Sequence, residues 1–317
     1  MAPVNSDFGI TARLQHLMCL IGQKEVFEEG SETFKELLQI EVSDNQIKRV
    51  SEHYGKVLDP LIKANCKEVI PKLITKEESE YTYSMFDGSM LLTRDKGWKE
   101  IKLGRLFTES HHIDIQPTKS IILESIFVSH LGKSKDFFLK LERFLTATKH
   151  LVVIGDGAKW IWNWVEDNYP GAVQILDFYH ALEKLCEFAV LQFSLKEKRE
   201  EWIEKQKNRL LENQVHEVID ELKGIRSRNK EANKKKQKVI QYYQTHEDRM
   251  EYKTYREKGL LIGSGPIESA HRNVIQHRMK LSGQRWSKVG AQAIANLRCY
   301  KKGDNWSVIT NLIKKAA

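Results

Sequence analysis

The sequence predicts an α/β fold: a mixed β-sheet, interrupted by a helical insertion and preceded by a small helical segment. Three observations lead there. Leu151-Val152-Val153-Ile154 is a continuous apolar run, the signature of a central strand buried on both faces. Between residues 81 and 107 the texture is that of short strands, with apolar residues at 101, 103 and 106. Residues 181–258, by contrast, are rich in Lys, Glu, Gln and Leu and carry almost no strand signal.

Residues 11–54 read as helical. Leu14, Leu17, Met18 and Ile21 fall at the spacing of an amphipathic helix, and a second apolar stripe, Phe34, Leu37 and Leu38, ends near Ile40. Ser43 with Gln46 three residues on forms the pattern of a capping box, which opens a helix reaching about Tyr54. Residues 1–80 thus have the outline of a helix-turn-helix, or of an ordinary helical hairpin.

Residues 81–180 form the first part of the core. A strand over 81–86 ends in a turn at Asp87-Gly88; further strands lie at 98–107 and 121–128, and 134–145 is helical. The buried strand closes at Gly155-Asp156-Gly157. A short helix over 158–168 leads through Pro170-Gly171 to a strand over 172–176 that ends at Asp177. Three strands, a helix, a strand, a helix and a strand is the order of an RNase H-like domain with a mixed sheet. In the insertion, 181–258, the charged run 229–238 reads as a solvated face. The last segment, 259–317, holds a final core helix over about 266–280, another over 287–298, and a basic C-terminal region.

Hydrophobic residues make up 41% of the 317-residue chain, enough for a substantial core. A net charge of +8 and a pI near 9.1 favour a polyanionic partner without identifying it. The charge is uneven: residues 1–80 carry −4 and 81–195 carry −1, whereas 196–258 carry +5 and 259–317 carry +8. A groove that tracks phosphates needs such a concentration, and a solubilising surface would also produce it. Cys19, Cys66, Cys186 and Cys299 are far apart, without metal-knuckle spacing, and read as reduced thiols. No apolar run approaches the roughly 18–20 residues of a membrane span. A basic stretch with an apolar run behind it is missing from residues 1–30, so no secretory signal is expected.

Three acidic residues stand out by position. Asp87 and Asp156 each close an expected strand and each precede a glycine; carboxylates at strand ends line the ligand crevice of an open α/β sheet. Such a pair can share hard cations, which prefer oxygen ligands. Glu268 lies two residues after Pro266, in the first turn of a helix, where a capping role is the ordinary alternative.

Together these residues resemble a known family. Phe86-Asp87-Gly88, Gly155-Asp156-Gly157-Ala158-Lys159-Trp160-Ile161-Trp162, Leu176-Asp177-Phe178-Tyr179-His180 and Gly263-Ser264-Gly265-Pro266-Ile267-Glu268-Ser269 are similar to the core motifs of bacterial insertion-sequence DDE transposases. The group is Mutator-related, and the likeness is greatest to its Kra/Lre branch. The resemblance implies that Asp87, Asp156 and Glu268 bind Mg²⁺ or Mn²⁺, as two ions, and catalyse metal-dependent DNA cleavage and strand transfer. It also implies a helical insertion before the glutamate, matched by 181–258, and an Asp-x-x-His signature, matched by Asp177 and His180. Element-end and target DNA are the implied partners of a homo-oligomer in the bacterial cytoplasm, associated with the nucleoid. Family members usually carry a longer N-terminal region, often with cysteine pairs, so a shortened copy is the expectation here.

Asp177 and His180 have a supporting role in this reading, or form a satisfied polar pair. His271, Arg272, Arg278, Lys280 and Arg285 are candidate phosphate contacts, and Trp286 a candidate for stacking on an unpaired base. Trp160 and Trp164 read as core, and His111-His112 as surface without a partner. The alternatives are an RNase H-like nuclease without strand transfer and a non-catalytic transposase-derived DNA-binding protein. The charge distribution predicts that duplex-DNA affinity, followed by fluorescence anisotropy, falls as salt rises, with log K losing about 0.9 per tenfold salt for each phosphate neutralised. A salt-independent affinity would separate the basic last third from any DNA path.

Overall fold

The computed structural model describes residues 4–5, 8–73, 75–116, 119–145 and 148–316. Its contacts divide the chain into two units, residues 1–150 with 266–317, and residues 151–265.

In the first unit, β1 (Val4–Asn5) pairs with β2 (Ile10–Thr11), and α1 (Ala12–Gly22), α2 (Phe27–Leu38) and α3 (Asp44–Lys63) follow. Thr11 caps α1, and Ser43 and Gln46 form the capping box at the start of α3. α3 outruns its expected end at Tyr54 and continues through Pro60 to Lys63. The proline removes one backbone donor, but burial of Leu58 and Ile62 carries the helix on. Of the second apolar stripe only Phe34 enters the core. Leu37 and Leu38 are exposed, since α2 stops there and Gln39 turns left-handed.

β3 (Tyr81–Thr93) and β4 (Gly97–Thr108) form a long antiparallel hairpin. The expected turn at Asp87-Gly88 is therefore corrected: both residues sit inside β3, opposite Leu103 and Lys102. A continuous ladder overrides the local turn preference, and Gly88 makes room for Glu100, whose Oε1 lies 2.4 Å from where a Cβ would be. The strand expected over 121–128 is two strands. β5 (His112–Gln116) pairs with β6 (Lys119–Ile122), while β7 (Ile126–Leu131) joins β4. α4 (Ser134–Leu141) packs Phe137 and Leu141 over Gly104, which has no side chain to obstruct them.

β8 (His150–Gly155) leads into the second unit, where α5 (Lys159–Asn168) crosses over to β9 (Val173–Leu176), parallel to β8. The antiparallel strands β7, β4 and β3 and the parallel pair β8–β9 belong to one five-stranded mixed sheet, the α/β architecture the sequence predicts. Five helices fill the insertion: α6 (Phe178–Gln192), α7 (Lys196–Leu211), α8 (Val215–Gly224), α9 (Lys230–His246) and α10 (Tyr252–Glu257). They close around Phe188, Trp202, Leu210, Val218 and Tyr243. The charged run 229–238 begins α9, but Ala232 and Lys236 are buried, and Lys236 Nζ donates to the Ile225 carbonyl at 2.7 Å. Trp164 is core as expected, Trp160 is half-buried, and Trp162 is the deeper ring.

From residue 266 the chain returns to the first unit. α11 (Gly265–Ala270), a π-helical segment (His271–Gln276) and α12 (His277–Met279) run together, followed by α13 (Lys288–Lys302) and α14 (Trp306–Ala316). α14 lies in what the sequence marked only as a basic C-terminal region. α13 packs against α3 and β7. Its Gln292 accepts from Leu131 N and donates to the Ser129 carbonyl, covering the free edge of β7. Asn296 donates to the Gly55 carbonyl of α3, while Lys140 binds Asp59, the Ser129 carbonyl and Asn296. The α3–α13 approach is so close that a Cβ on Gly55 would lie 2.2 Å from the Ala293 carbonyl oxygen. Gly55→Ala should therefore cost about 1–3 kcal/mol by overpacking. Gly171→Ala, with open space around it, should stay within about 0.5 kcal/mol; chemical denaturation of the two variants checks the contrast.

Candidate metal centre

The site begins with a helix cap. Asp177 follows β9 and is fully buried. Its Oδ1 accepts from Tyr179 N at 2.7 Å and His180 N at 3.2 Å, which satisfies the first amides of α6. Its Oδ2 accepts from His180 Nδ1 at 3.0 Å, from Ser264 N at 3.0 Å and from the Ser264 hydroxyl. Burial alone would raise the pKa of this carboxyl, but the hydrogen bonds from His180 and Ser264 outweigh it and hold the pKa below the ordinary value. The sequence pointed to Asp177 and His180; Ser264 was in the motif without a role.

Ser264 stands immediately before α11, whose first turn carries Glu268. Asp177, His180 and Glu268 form a group whose ligand atoms lie within 4.8 Å of one another, graded from buried to exposed. This group can hold a metal ion. Two carboxylates and an imidazole suit divalent ions that accept mixed nitrogen and oxygen ligands, Mn²⁺ more readily than Mg²⁺. With Nδ1 turned to Asp177, Nε2 is the ring nitrogen through which His180 would take a cation.

Asp87 lies in β3 and is half-exposed; its Oδ1 accepts from Gly88 N at 2.7 Å. His271 Nε2 donates to the Asp87 carbonyl at 3.2 Å and lies 3.8 Å from its Oδ2. Burial is the main cause that lowers the His271 pKa, with Asp87 opposing. Arg105, from β4, donates to the Pro266 carbonyl at 2.9 Å. His271 and Arg105 thus dock the Glu268 helix on the sheet, two contacts that nothing in local sequence announced.

Asp156 follows β8. Its Oδ1 accepts from Ala158 N at 3.0 Å, and its carbonyl accepts from Trp162 Nε1 at 2.9 Å. Asp87 and Asp156 are not members of the Asp177–His180–Glu268 group. Gly157 has no room for a side chain: a Cβ there would lie 2.1 Å from Tyr242 Cε2 and 3.1 Å from His246 Nε2. Tyr242 and His246, one turn apart on α9, pack directly on the turn after Asp156. Their helical spacing was legible, but their target was not.

Three candidate DNA contacts are corrected by burial. Arg278 is 1% exposed, with its guanidinium over Phe27 and Trp286. Trp286 is 6% exposed and donates Nε1 to the Met279 carbonyl. His271 is 1% exposed and turned to Asp87. Each sits in a basic, polar stretch that reads as surface, yet the chain folds it inward. Arg272, Lys280 and Arg285 are exposed. His111 is not without a partner, since its Nδ1 lies 3.0 Å from Thr108 Oγ1.

The structure defines a mixed α/β protein with an Asp–His–Glu group able to hold a metal ion. The chain belongs to UPF0236, an uncharacterised protein family, which it matches over residues 119–314. No curated protein matches the sequence. Among the described residues no helix is long and apolar enough to cross a membrane.

Asp177→Ala should lower stability by at least about 2 kcal/mol, through loss of a cap and of hydrogen bonds to a buried charge. Because its pKa is depressed on folding, this contribution is present above the ordinary carboxylate value of about 3.9. It is lost as the pH falls through the folded value. Denaturation of wild type and variant across acidic pH should therefore show the gap closing.

Proposed function

We propose that this chain is a DDE-type DNA transposase that cuts and joins DNA, with Asp87, Asp156 and Glu268 as metal-holding carboxylates on an RNase H-like core. The observation that carries this reading is the tethering of the Glu268 helix. Ser264, just before it, is bound to Asp177, and His271, three residues after Glu268, is bound to Asp87. A capping glutamate needs no such tethers on both sides.

Divalent cations, Mg²⁺ or Mn²⁺, supply activation of a water and stabilisation of the leaving oxygen in an in-line attack on a phosphodiester. The chain's own residues do the positioning. Asp177 stays anionic and fixes the His180 tautomer; His271 and Arg105 hold the Glu268 helix against β3 and β4. The exposed Arg272, Lys280 and Arg285 are suited to phosphate contacts, and the positive charge that residues 259–317 keep with the buried Arg278 and Arg298 set aside supports DNA as the partner. A 3′-hydroxyl freed by cleavage then replaces water as the nucleophile, which joins the element end to target DNA. Homo-oligomeric assembly on DNA in a bacterial cytoplasm, close to the nucleoid, belongs to the same reading.

Asp156→Asn keeps the side chain's size and removes one negative ligand. Metal-dependent cleavage of element-end DNA should fall at least about a thousandfold, while fold and DNA affinity stay near those of the parent. Cleavage at the parent's rate by this variant would sink the metal-site reading. An assay offering a 3′-hydroxyl donor and an acceptor duplex separates strand transfer from simple nuclease activity.

A further inference from the structure

The β3–β4 hairpin extends beyond its third strand. The last β4–β7 pair is Ile101 with Leu131, whereas β3 and β4 stay paired out to Thr93 and Gly97. Strand alternation puts Trp98, Glu100 and Lys102 on one face, with Leu92 and Met90 opposite the first two. Trp98 is 60% exposed and Met90 44%. Trp98 has no ring or hydrogen-bond partner among the described residues. An indole left in water at the end of this hairpin is apolar surface that neither core nor cap accounts for.

Glu100 and Lys102, which follow Trp98 on the same face, line a cleft of about 700 Å³ that Trp98 itself does not line. Lys96, Lys99, Lys102, Lys133 and Lys288 line it, against the acids Asp95, Glu100 and Asp136, a net of +2. Glu100 is already engaged by Lys102, which also donates to the Gly132 carbonyl at 3.0 Å. The buried Trp286 draws in more positive charge. Its N donates to the Leu92 carbonyl and its carbonyl accepts from Arg94 N, so the exposed Arg285 and Lys288 stand beside the hairpin tip. Glu100 and Lys102 reach this cleft from the sheet face of Gly88, whereas Thr93 and Lys99 alternate onto the face of Asp87, so both faces of the hairpin tip contribute to it.

We infer that the hairpin tip and its lysine cleft bind a nucleic-acid strand next to a duplex end, with Trp98 stacked on an unpaired base and the lysines on its phosphates. An exposed planar ring beside a row of cations is the chemistry of single-strand binding: the ring takes any base, and the cations follow the backbone. An acidic protein would use the lysines but leave the indole without a purpose. The inference rests on DNA as the partner in the proposed function, and it adds a binding site that the carboxylates do not contribute to.

The test uses the full chain and two fluorescein-labelled DNAs, a blunt duplex and the same duplex with a 3′ extension of about ten thymidines, which spans one single-strand site. Trp98→Ala should weaken binding to the extended DNA about tenfold and leave the blunt duplex unchanged. Lys96→Gln with Lys99→Gln should weaken both and lower the salt slope by about 2. All three positions are exposed, so folding is not at stake. Unchanged affinity in both variants overturns the inference, as does a parent that binds neither DNA. Competition by pyrophosphate as strong as by the extended strand would reduce the cleft to a simple anion site and overturn it too. The catalytic reading fails separately: a protein that binds through Trp98 yet never cuts DNA keeps this inference and loses the transposase.

Discussion

A single buried carboxylate holds the candidate site together. Asp177 accepts two backbone amides at the start of α6, the His180 ring, and both the amide and hydroxyl of Ser264. The consequence is mechanical as well as electrostatic. The charge starts one helix, sets the tautomer of the histidine, and fixes the loop from which the Glu268 helix departs. Withdrawing any donor would leave an uncompensated buried charge, an expensive state, so these features stand or fall as one.

The same economy governs the first unit, where buried cations serve as fasteners. Arg298 is 3% exposed and donates to the carbonyls of Gln23, Asn273 and Val274. Two of those carbonyls lie in the π-helical segment, whose altered hydrogen bonding leaves such groups in need of partners. Arg278 stacks between Phe27 and Trp286, and burial lowers its pKa to about 10. Charge counted along the sequence therefore overstates charge at the surface. The +8 of residues 259–317 includes two guanidiniums that no phosphate can reach. The positive surface is instead rebuilt in part from lysines far away in sequence, those of the β3–β4 tip and of the α4 approach.

The two faces of the β3–β4 hairpin divide the work. On one face Asp87 and Arg105 meet the Glu268 helix. On the other, Gly104 admits Phe137 and Leu141 of α4, and beyond that cover Glu100 and Lys102 lead to the lysine cleft. Strand alternation alone enforces this separation. A one-residue slip in register would exchange the two faces.

By itself the sequence determined the α/β class, the capping box at Ser43, the buried strand before Asp156, the helical insertion, Glu268 as a candidate ligand and the Asp177–His180 pair as supporting residues; that these three converge on one another was not legible. The legible features rest on periodicity, caps and short spacings, which act over a few residues and survive whatever packs around them. Tertiary structure decided the rest. Asp87-Gly88 has the chemistry of a turn, but pairing with β4 keeps it in a strand. Arg278 and Trp286 have the composition of a surface, but Phe27 and the carbonyls of Gly22 and Met279 receive them inside. Gly55 and Gly157 look like flexible positions, and each is a place where another element comes too close for a side chain. Ser264, His271 and Arg105 gained roles only from partners 87, 184 and 161 residues away. Such contacts leave no local trace because the free energy that selects them is shared between residues that chain order keeps apart.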